Sequence, residues 1–361
     1  MIDDQNLPRD ETTVTAPISL VKADFVQDLV KRTTDGCAST GVVVIGRNEG
    51  ERLKRCLYSI GSLVDRAVYV DSGSSDGSVA FVRSLGAEVV ELDMATPFTA
   101  ARARNAGYKK LLERFPALTY VFFVDGDCEV VKDWPEKASR FLDERPDVAI
   151  VWGRRRERYP ERSVYNMLCD IEWSDFPIGE IKSCGGDIVM RVSAFRQVAG
   201  YRSDLICGEE PEMCVRLRQA GWLIWRLGEE MTLHDAAIYH FGQWWKRSVR
   251  GGYGFALGAK LHGAPPERHW VSESRRIWIW GLAVPVAVTA LAFAVNWWVL
   301  ILLVVYPLQV IRLGIRGRRS RRENWWRAVA LVLCKFPERV GQCKFILDRY
   351  RRAPSVLIEY K

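Results

Sequence analysis

None of the nine cysteines forms a short paired C-x-x-C, so the chain lacks the spacing of a structural zinc site or a redox dithiol, and the odd count fits a reducing compartment. Met1 to Arg32 is polar, carries acidic residues and has no apolar signal-type run. The first domain is therefore expected in the cytosol. The turn Gly46-Arg47-Asn48-Glu49-Gly50 lacks the G-x-G-x-x-G phosphate loop, which argues against a dinucleotide oxidoreductase. What is present in excess is basic charge, a formal +8 over 361 residues. Much of it lies in Arg312 to Arg327 and Arg339 to Arg352, beside apolar runs. That placement points to lipid headgroups rather than nucleic acid.

The texture of the chain changes twice. Residues 1–38 have no sustained apolar periodicity beyond Leu20 to Leu29 and read as an N-terminal arm or peripheral helix. From Gly41, buried-type strands alternate with amphipathic stretches, the pattern of an α/β domain with a mostly parallel, Rossmann-like sheet, here 39–250. Val42 to Ile45, Ala67 to Val70, Glu88 to Leu92 and Tyr120 to Val124 are the expected strands. Leu53, Leu57, Ile60 and Val64 recur at helical spacing, as do Val79, Val82 and Leu85 before a capping Gly86, and Ala100 to Phe115 supplies a third helix. In such sheets ligands bind beyond the carboxyl ends of the strands.

The second change follows Arg276. A linker over 251–276 leads to Ile277 to Val295, nearly all apolar, and after Asn296, Trp297 and Trp298 a second run continues to Ile311. About 20 residues cross a bilayer core, and both flanks are basic, so 277–311 reads as a transmembrane hairpin with both ends in the cytoplasm. A buried helix pair in a soluble core is the alternative. The remainder, 312–361, is a basic cytoplasmic or interfacial tail with apolar stretches at Val329 to Leu333 and Phe336 to Leu347.

Chemistry is expected at the strand ends. Asp125-Gly-Asp127 directly follows Tyr120-Val-Phe-Phe-Val124, and two carboxylates so placed can hold a hard divalent cation, Mn2+ or Mg2+, against a diphosphate. Asn48 and Glu49 follow the first strand, and Asp71-Ser-Gly-Ser-Ser-Asp76-Gly77 the second, where an amide and a carboxylate can meet a nucleobase edge. Helix capping by Asn48 and Ser78 would account for the same residues.

Val42 to Glu49, Tyr69 to Gly77, Ala103-Arg104-Asn105-Ala-Gly107 and Phe123 to Asp127, in this order, resemble the family 2 glycosyltransferases of GT-A fold, especially those building bacterial surface polysaccharide. The resemblance covers about residues 40 to 250. It implies that Asn48, Glu49 and Asp71 line the base and ribose pocket, with Asp71 accepting from a uracil N–H if the donor is a UDP-sugar. Asp125 would lie by ribose and metal, Asp127 would ligate the metal, and Arg104 and Asn105 would stand near the diphosphate. Ser183-Cys-Gly185-Gly186-Asp187 resembles the family's loop facing donor sugar and acceptor, and Gly208-Glu209-Glu210 its acidic motif, whose second residue, usually Asp, is the general base. Here it is Glu210, with Glu209 as rival. His234 stands where relatives place a metal-binding or phosphate-facing histidine.

The implied activity is inverting transfer from a nucleotide-sugar donor to a lipid-linked saccharide acceptor at the cytoplasmic face of the inner membrane, with membrane lipid as a further partner. Gln243-Trp244-Trp245-Lys246-Arg247 departs from the Gln-x-x-Arg-Trp of processive polysaccharide synthases, and two spans are too few for a monomeric pore, which weighs against that branch. Phe241 to Arg250 is expected to be an interfacial segment. A non-catalytic nucleotide-sugar-binding scaffold is the reading from outside enzymology.

Overall fold

A run such as Val42-Val43-Val44, each fully buried, can form a strand only if both faces of the sheet are covered. Each of these side chains contributes about 1.5–3 kcal/mol by leaving water. The computed structural model describes residues 39–351 and Ile358; the expected N-terminal arm and the rest of the chain's end lie outside the described residues. The first half is a regular alternation: β1 (Thr40–Gly46), α1 (Glu51–Ser59), β2 (Ala67–Asp71), α2 (Ser78–Ser84), β3 (Glu88–Glu91), α3 (Ala100–Arg114) and β4 (Tyr120–Asp125). All four expected strands are present. The helix expected to reach Val64 stops at Ser59, because Gly61 turns to φ +56° and the chain tightens into a 3-10 turn, Gly61–Arg66. Gly107 shows why α3 sits so close to the sheet: a Cβ there would fall 2.4 Å from Val43 Cγ1.

The second half comprises β5 (Cys128–Val130), α4 (Trp134–Glu144), β6 (Val148–Glu157), α5 (Val164–Ser174), β7 (Gly179–Glu180), β8 (Ile188–Arg191), α6 (Val192–Gln197), α7 (Glu209–Gln219) and β9 (Leu223–His234). The sheet order is β3-β2-β1-β4-β8-β6-β9-β5, with β7 on β9. β1 to β4 are mutually parallel, whereas β8 runs antiparallel to both β4 and β6, so the parallel character belongs to the first half. Antiparallel β5 pairs Cys128 with His234, which sets Asp127 beside a residue 107 positions away in sequence.

Helices complete the described chain: α8 (Phe241–His262), α9 (Val271–Trp278) continuing through a π turn into α10 (Val284–Ala294), a 3-10 segment Trp297–Val304 leading into α11 (Val305–Arg316), then α12 (Arg321–Leu333) and α13 (Lys335–Tyr350). The boundary expected at residue 250 falls inside α8, which runs unbroken to His262, so the proposed linker begins as helix. Among the described residues two helices are long and apolar enough to cross a membrane, Val271–Ala294 and Trp297–Arg316, with mean hydropathy 2.0 and 2.1. Only 22% and 6% of their most apolar stretches are buried, unlike a helix pair in a soluble core. The expected tail is two packed helices as far as it is described. α13 crosses α8 where both carry glycine: a Cβ on Gly252 would lie 1.9 Å from the Glu338 carbonyl oxygen, and one on Gly341 would lie 2.0 Å from that of Val249.

Candidate active site

The carboxyl ends of β1 and β4, the amino end of β8 and the start of α7 open onto one cleft of about 1090 Å³. At its centre Arg104, which is 2% exposed, binds three acids. Its Nη2 donates to Asp125 Oδ1 at 2.9 Å, and its Nη1 donates to Glu209 Oε1 at 3.1 Å and Glu210 Oε1 at 2.8 Å. Arg155 donates through Nη2 to Asp125 Oδ2 at 3.1 Å and through Nε to Asp187 Oδ2 at 2.9 Å. Burial alone would raise the Asp125 carboxyl, but Arg104 and Arg155 hold it below the ordinary value. Asp125, expected by ribose and metal, therefore has both oxygens on guanidinium groups.

Asp187 is likewise committed. It is buried, accepts from the Asp125 backbone N–H at 3.1 Å and from the Thr232 hydroxyl at 2.7 Å, and so ties the end of β4 to β9 at the cleft wall. The adjacent glycines differ. A Cβ on Gly186 would lie 2.7 Å from Arg104 Nη2, 3.0 Å from Asp125 Oδ2 and 3.3 Å from Glu210 Oε1, so the backbone must pass bare through the cluster. Gly185 faces open space.

Glu209 and Glu210 occupy the first turn of α7, where the helix dipole favours negative charge, and Gly208 enters that helix at φ +76°. The two differ in placement: the Glu209 side chain is 5% exposed and the Glu210 side chain 14%. Burial first, then the like charge of Glu209, push the Glu210 carboxyl up to about 7 against the pull of Arg104. A carboxylate titrating near neutrality is suited to accept a proton.

Asp127 meets His234, with Nε2 3.3 Å from Oδ2. Trp173 packs edge-on against the imidazole at 4.7 Å. Behind it, Glu157 is buried and accepts from Ala236 N–H at 3.0 Å and Asn166 Nδ2 at 3.2 Å, holding the strand ends together. Ligand atoms of Asp127, Cys128 and His234 lie within 4.8 Å of one another and could hold a metal ion. Burial pushes the Cys128 thiol well up, while Asp127 and His234 offer an oxygen and an imidazole nitrogen, donors that suit a hard or borderline divalent cation. A second group, Asp125, Cys128 and Asp187, is already balanced by Arg155.

The expected nucleotide residues are arranged differently from capping groups. Asn48 Oδ1 accepts from Ser75 N–H at 2.8 Å and its own N–H donates to Ser74 Oγ at 2.9 Å, so it joins the loops after β1 and β2. It caps no helix, and neither does Ser78: Gly50 and Gly77 hold those positions. Glu49 pairs with Arg52 at 2.8 Å and lines the cleft. Asp71, expected to accept from a uracil N–H, is buried and already accepts from Gly73 and Ser74 N–H groups at 2.9 and 2.8 Å and from the Tyr69 hydroxyl at 3.0 Å. Asn105, expected near a diphosphate, exchanges hydrogen bonds with the Tyr201 backbone at 2.7 and 3.0 Å and pins the loop after α6.

Sequence reasoning missed Arg155, although a signal existed. In Arg154-Arg155-Arg156-Glu157 on β6, alternation places Arg155 and Glu157 on one face and the other two arginines on the opposite one, where Arg156 pairs with Asp170. Gln243, from the near-signature of the synthases, forms a capping box with His240 at the start of α8.

A parallel half with polar loops, a mixed half, and an Asp-x-Asp at the seam between them define the GT-A fold. Residues 41–198 match the family model described as Glycosyl transferase family 2, and the chain carries a family 2 glycosyltransferase domain of that fold. A mannosyltransferase of Pyrobaculum calidifontis, solved in complex with GDP-Man and Mn2+, superposes with a TM-score of 0.59 over 92% of this chain and 98% of its own, at 18% identity. That likeness is one of fold. An uncharacterized glycosyltransferase of Rickettsia felis is 30% identical over 90 residues, 25% of this chain, and a TPR repeat-containing protein of Synechococcus elongatus is 28% identical over 134 residues, 36% of this chain. The chain spans only 29% and 30% of the length of those two relatives, respectively.

Proposed function

We propose that the protein is an inverting glycosyltransferase that moves a sugar from a nucleotide diphosphate donor, a UDP-sugar by the resemblance of its motifs, to a hydroxyl of a lipid-linked glycan. The observation that carries this reading is Glu210. It is a cleft-facing carboxylate raised to about 7, in the same cleft as the Asp127–His234 pair.

In the proposed reaction Glu210 accepts the proton of the acceptor hydroxyl, the freed oxygen attacks the anomeric carbon, and the nucleotide diphosphate departs from the opposite face. Arg104 keeps Glu210 and Asp125 in place, and Gly186 lets the backbone pass beside both without displacing Arg104. Asp127 and His234 would hold a divalent cation, which when bound supplies positive charge to the departing diphosphate. The loops of Asn48 and Asp71 present a fixed backbone surface to the nucleotide. The apolar pair Val271–Ala294 and Trp297–Arg316 supports a membrane anchor, with the catalytic domain on the cytoplasmic side where nucleotide sugars are made. That placement favours a lipid-borne acceptor in surface polysaccharide synthesis.

The test is nucleotide release by the detergent-solubilised full chain from UDP-, GDP- and dTDP-sugars, with and without Mn2+ or Mg2+ and with lipid-linked acceptor supplied. Metal-dependent release from one donor, abolished in Asp127→Ala, is the expected result. Donor binding with no release under any condition would leave a nucleotide-sugar-binding scaffold in its place.

A further inference from the structure

The two ends of the cleft are oppositely charged. Near the strand ends, Glu49, Asp125, Asp127, Asp187, Glu209 and Glu210 outnumber the arginines, as a cation site requires. Toward α8 and α12 the balance reverses: Arg247, Arg250 and Arg327 line the wall with Glu172, Asp175 and Glu338, and Glu338 is already paired with Lys335 at 2.6 Å. Asp175 is moreover shared, accepting from Arg327 Nη2 at 2.6 Å and Arg319 Nη2 at 2.8 Å. Resting on the acceptor reading above, we propose that this outer half is a binding site for the phosphate or diphosphate group of the lipid that carries the acceptor sugar.

Three features support the assignment. The guanidinium of Arg247 grips both oxygens of Glu172 at 2.9 and 3.0 Å, a geometry that a phosphate reproduces, and the Glu172 side chain is 54% exposed, so an anion can displace it easily. Trp244, Phe255 and Trp270 share the wall with the arginines, so the anion site adjoins an apolar surface. That surface leads outward, since Trp270 directly precedes the span Val271–Ala294. A ligand with a charged head and a hydrocarbon tail satisfies all three at once. A donor diphosphate does not, because its counter-charge lies at the acidic end.

The experiment measures binding and requires no turnover. The full chain in neutral detergent is titrated calorimetrically with farnesyl phosphate, farnesyl diphosphate, farnesol and inorganic pyrophosphate, alongside Arg250→Gln, Arg327→Gln and the control Lys246→Gln. The farnesyl phosphates should bind about tenfold more tightly than farnesol, and each cleft-arginine variant should lose most of that difference while Lys246→Gln keeps it. Unchanged nucleotide binding in every variant reports an intact fold. Equal affinity for farnesol, or arginine variants indistinguishable from the parent, would overturn the proposal. Pyrophosphate binding as tightly as its farnesyl ester would make the site one for a free anion, and displacement by phosphatidylglycerol in mixed micelles would make it a bilayer headgroup site; either result also overturns it. Failure of nucleotide release would count against the transferase reading alone and leave the binding result standing.

Discussion

The strand ends of the parallel half and those of the mixed half both gather polar side chains, but they satisfy them in opposite ways. After β1 and β2, Asn48, Asp71 and Asp76 accept from backbone N–H groups of their own and neighbouring loops. At the end of β4, just before β8 and at the start of α7, the acids are balanced by two shared guanidinium groups. A side chain satisfied by the backbone makes a fixed surface and gives up its own reactivity. Carboxylates that share a cation stay electrically coupled, so a change at one alters the proton affinity of the next. Titration therefore belongs to the second half, and shape to the first.

The contrast breaks most visibly at the proposed base. Glu210→Gln should lower kcat by about 10²–10⁴-fold with donor affinity retained, as steady-state kinetics and donor titration together would report. Next comes Gly186→Ala, whose methyl would displace Arg104 from the acids; misplacement of this kind is expected to reduce kcat/KM by about 10²-fold. Asp71→Ala should act on the other half: loss of an acceptor that serves three donors destabilises the fold by about 1–3 kcal/mol in urea unfolding, with kcat at saturating donor nearly unchanged.

A smaller effect sharpens the comparison further. Because Glu210 must be ionised to accept a proton and is raised to about 7, kcat/KM should fall as pH drops below about 7. Glu209→Gln removes the like charge that helps raise it, so the acid limb should move to lower pH in a pH–rate profile. Smallest of all, Gly185→Ala should shift stability by no more than about 0.5 kcal/mol, since open space surrounds that position.

Much of the parallel half was legible in the sequence because buried parallel strands are uninterrupted apolar runs, as Val42 to Ile45 and Tyr120 to Val124 are. The mixed half was not. β6 ends in Arg154-Arg155-Arg156-Glu157 and β9 contains Glu229-Glu230, so the charges that pair across them disguise both strands as loop. The Asp-x-Asp, the glycine pair and the acidic helix start were all readable as motifs, and the structure brings Asp125, Gly186, Glu209 and Glu210 together around Arg104. What a motif could not convey was partnership. That Arg104 faces acids, that Asp71 is engaged by its own loop, and that Asn105 pins Tyr201 follow from chain segments up to 106 residues apart.

The glycine crossing of α8 and α13 has a mechanical consequence. α8 lines the cleft with Arg247 and Arg250, meets α13 backbone to backbone at Gly252, and is about 33 Å long. α13 in turn presses its Lys335 carbonyl against Gly281, inside the first apolar span, where a Cβ would lie 2.4 Å away. Rigid struts joined in this way do not telescope. Were the hairpin seated in a bilayer as proposed, Glu209 and Glu210 would be held at one height above the lipid plane, and on the proposed acceptor reading the depth of that anchor would act as a gauge of the glycan that can reach them.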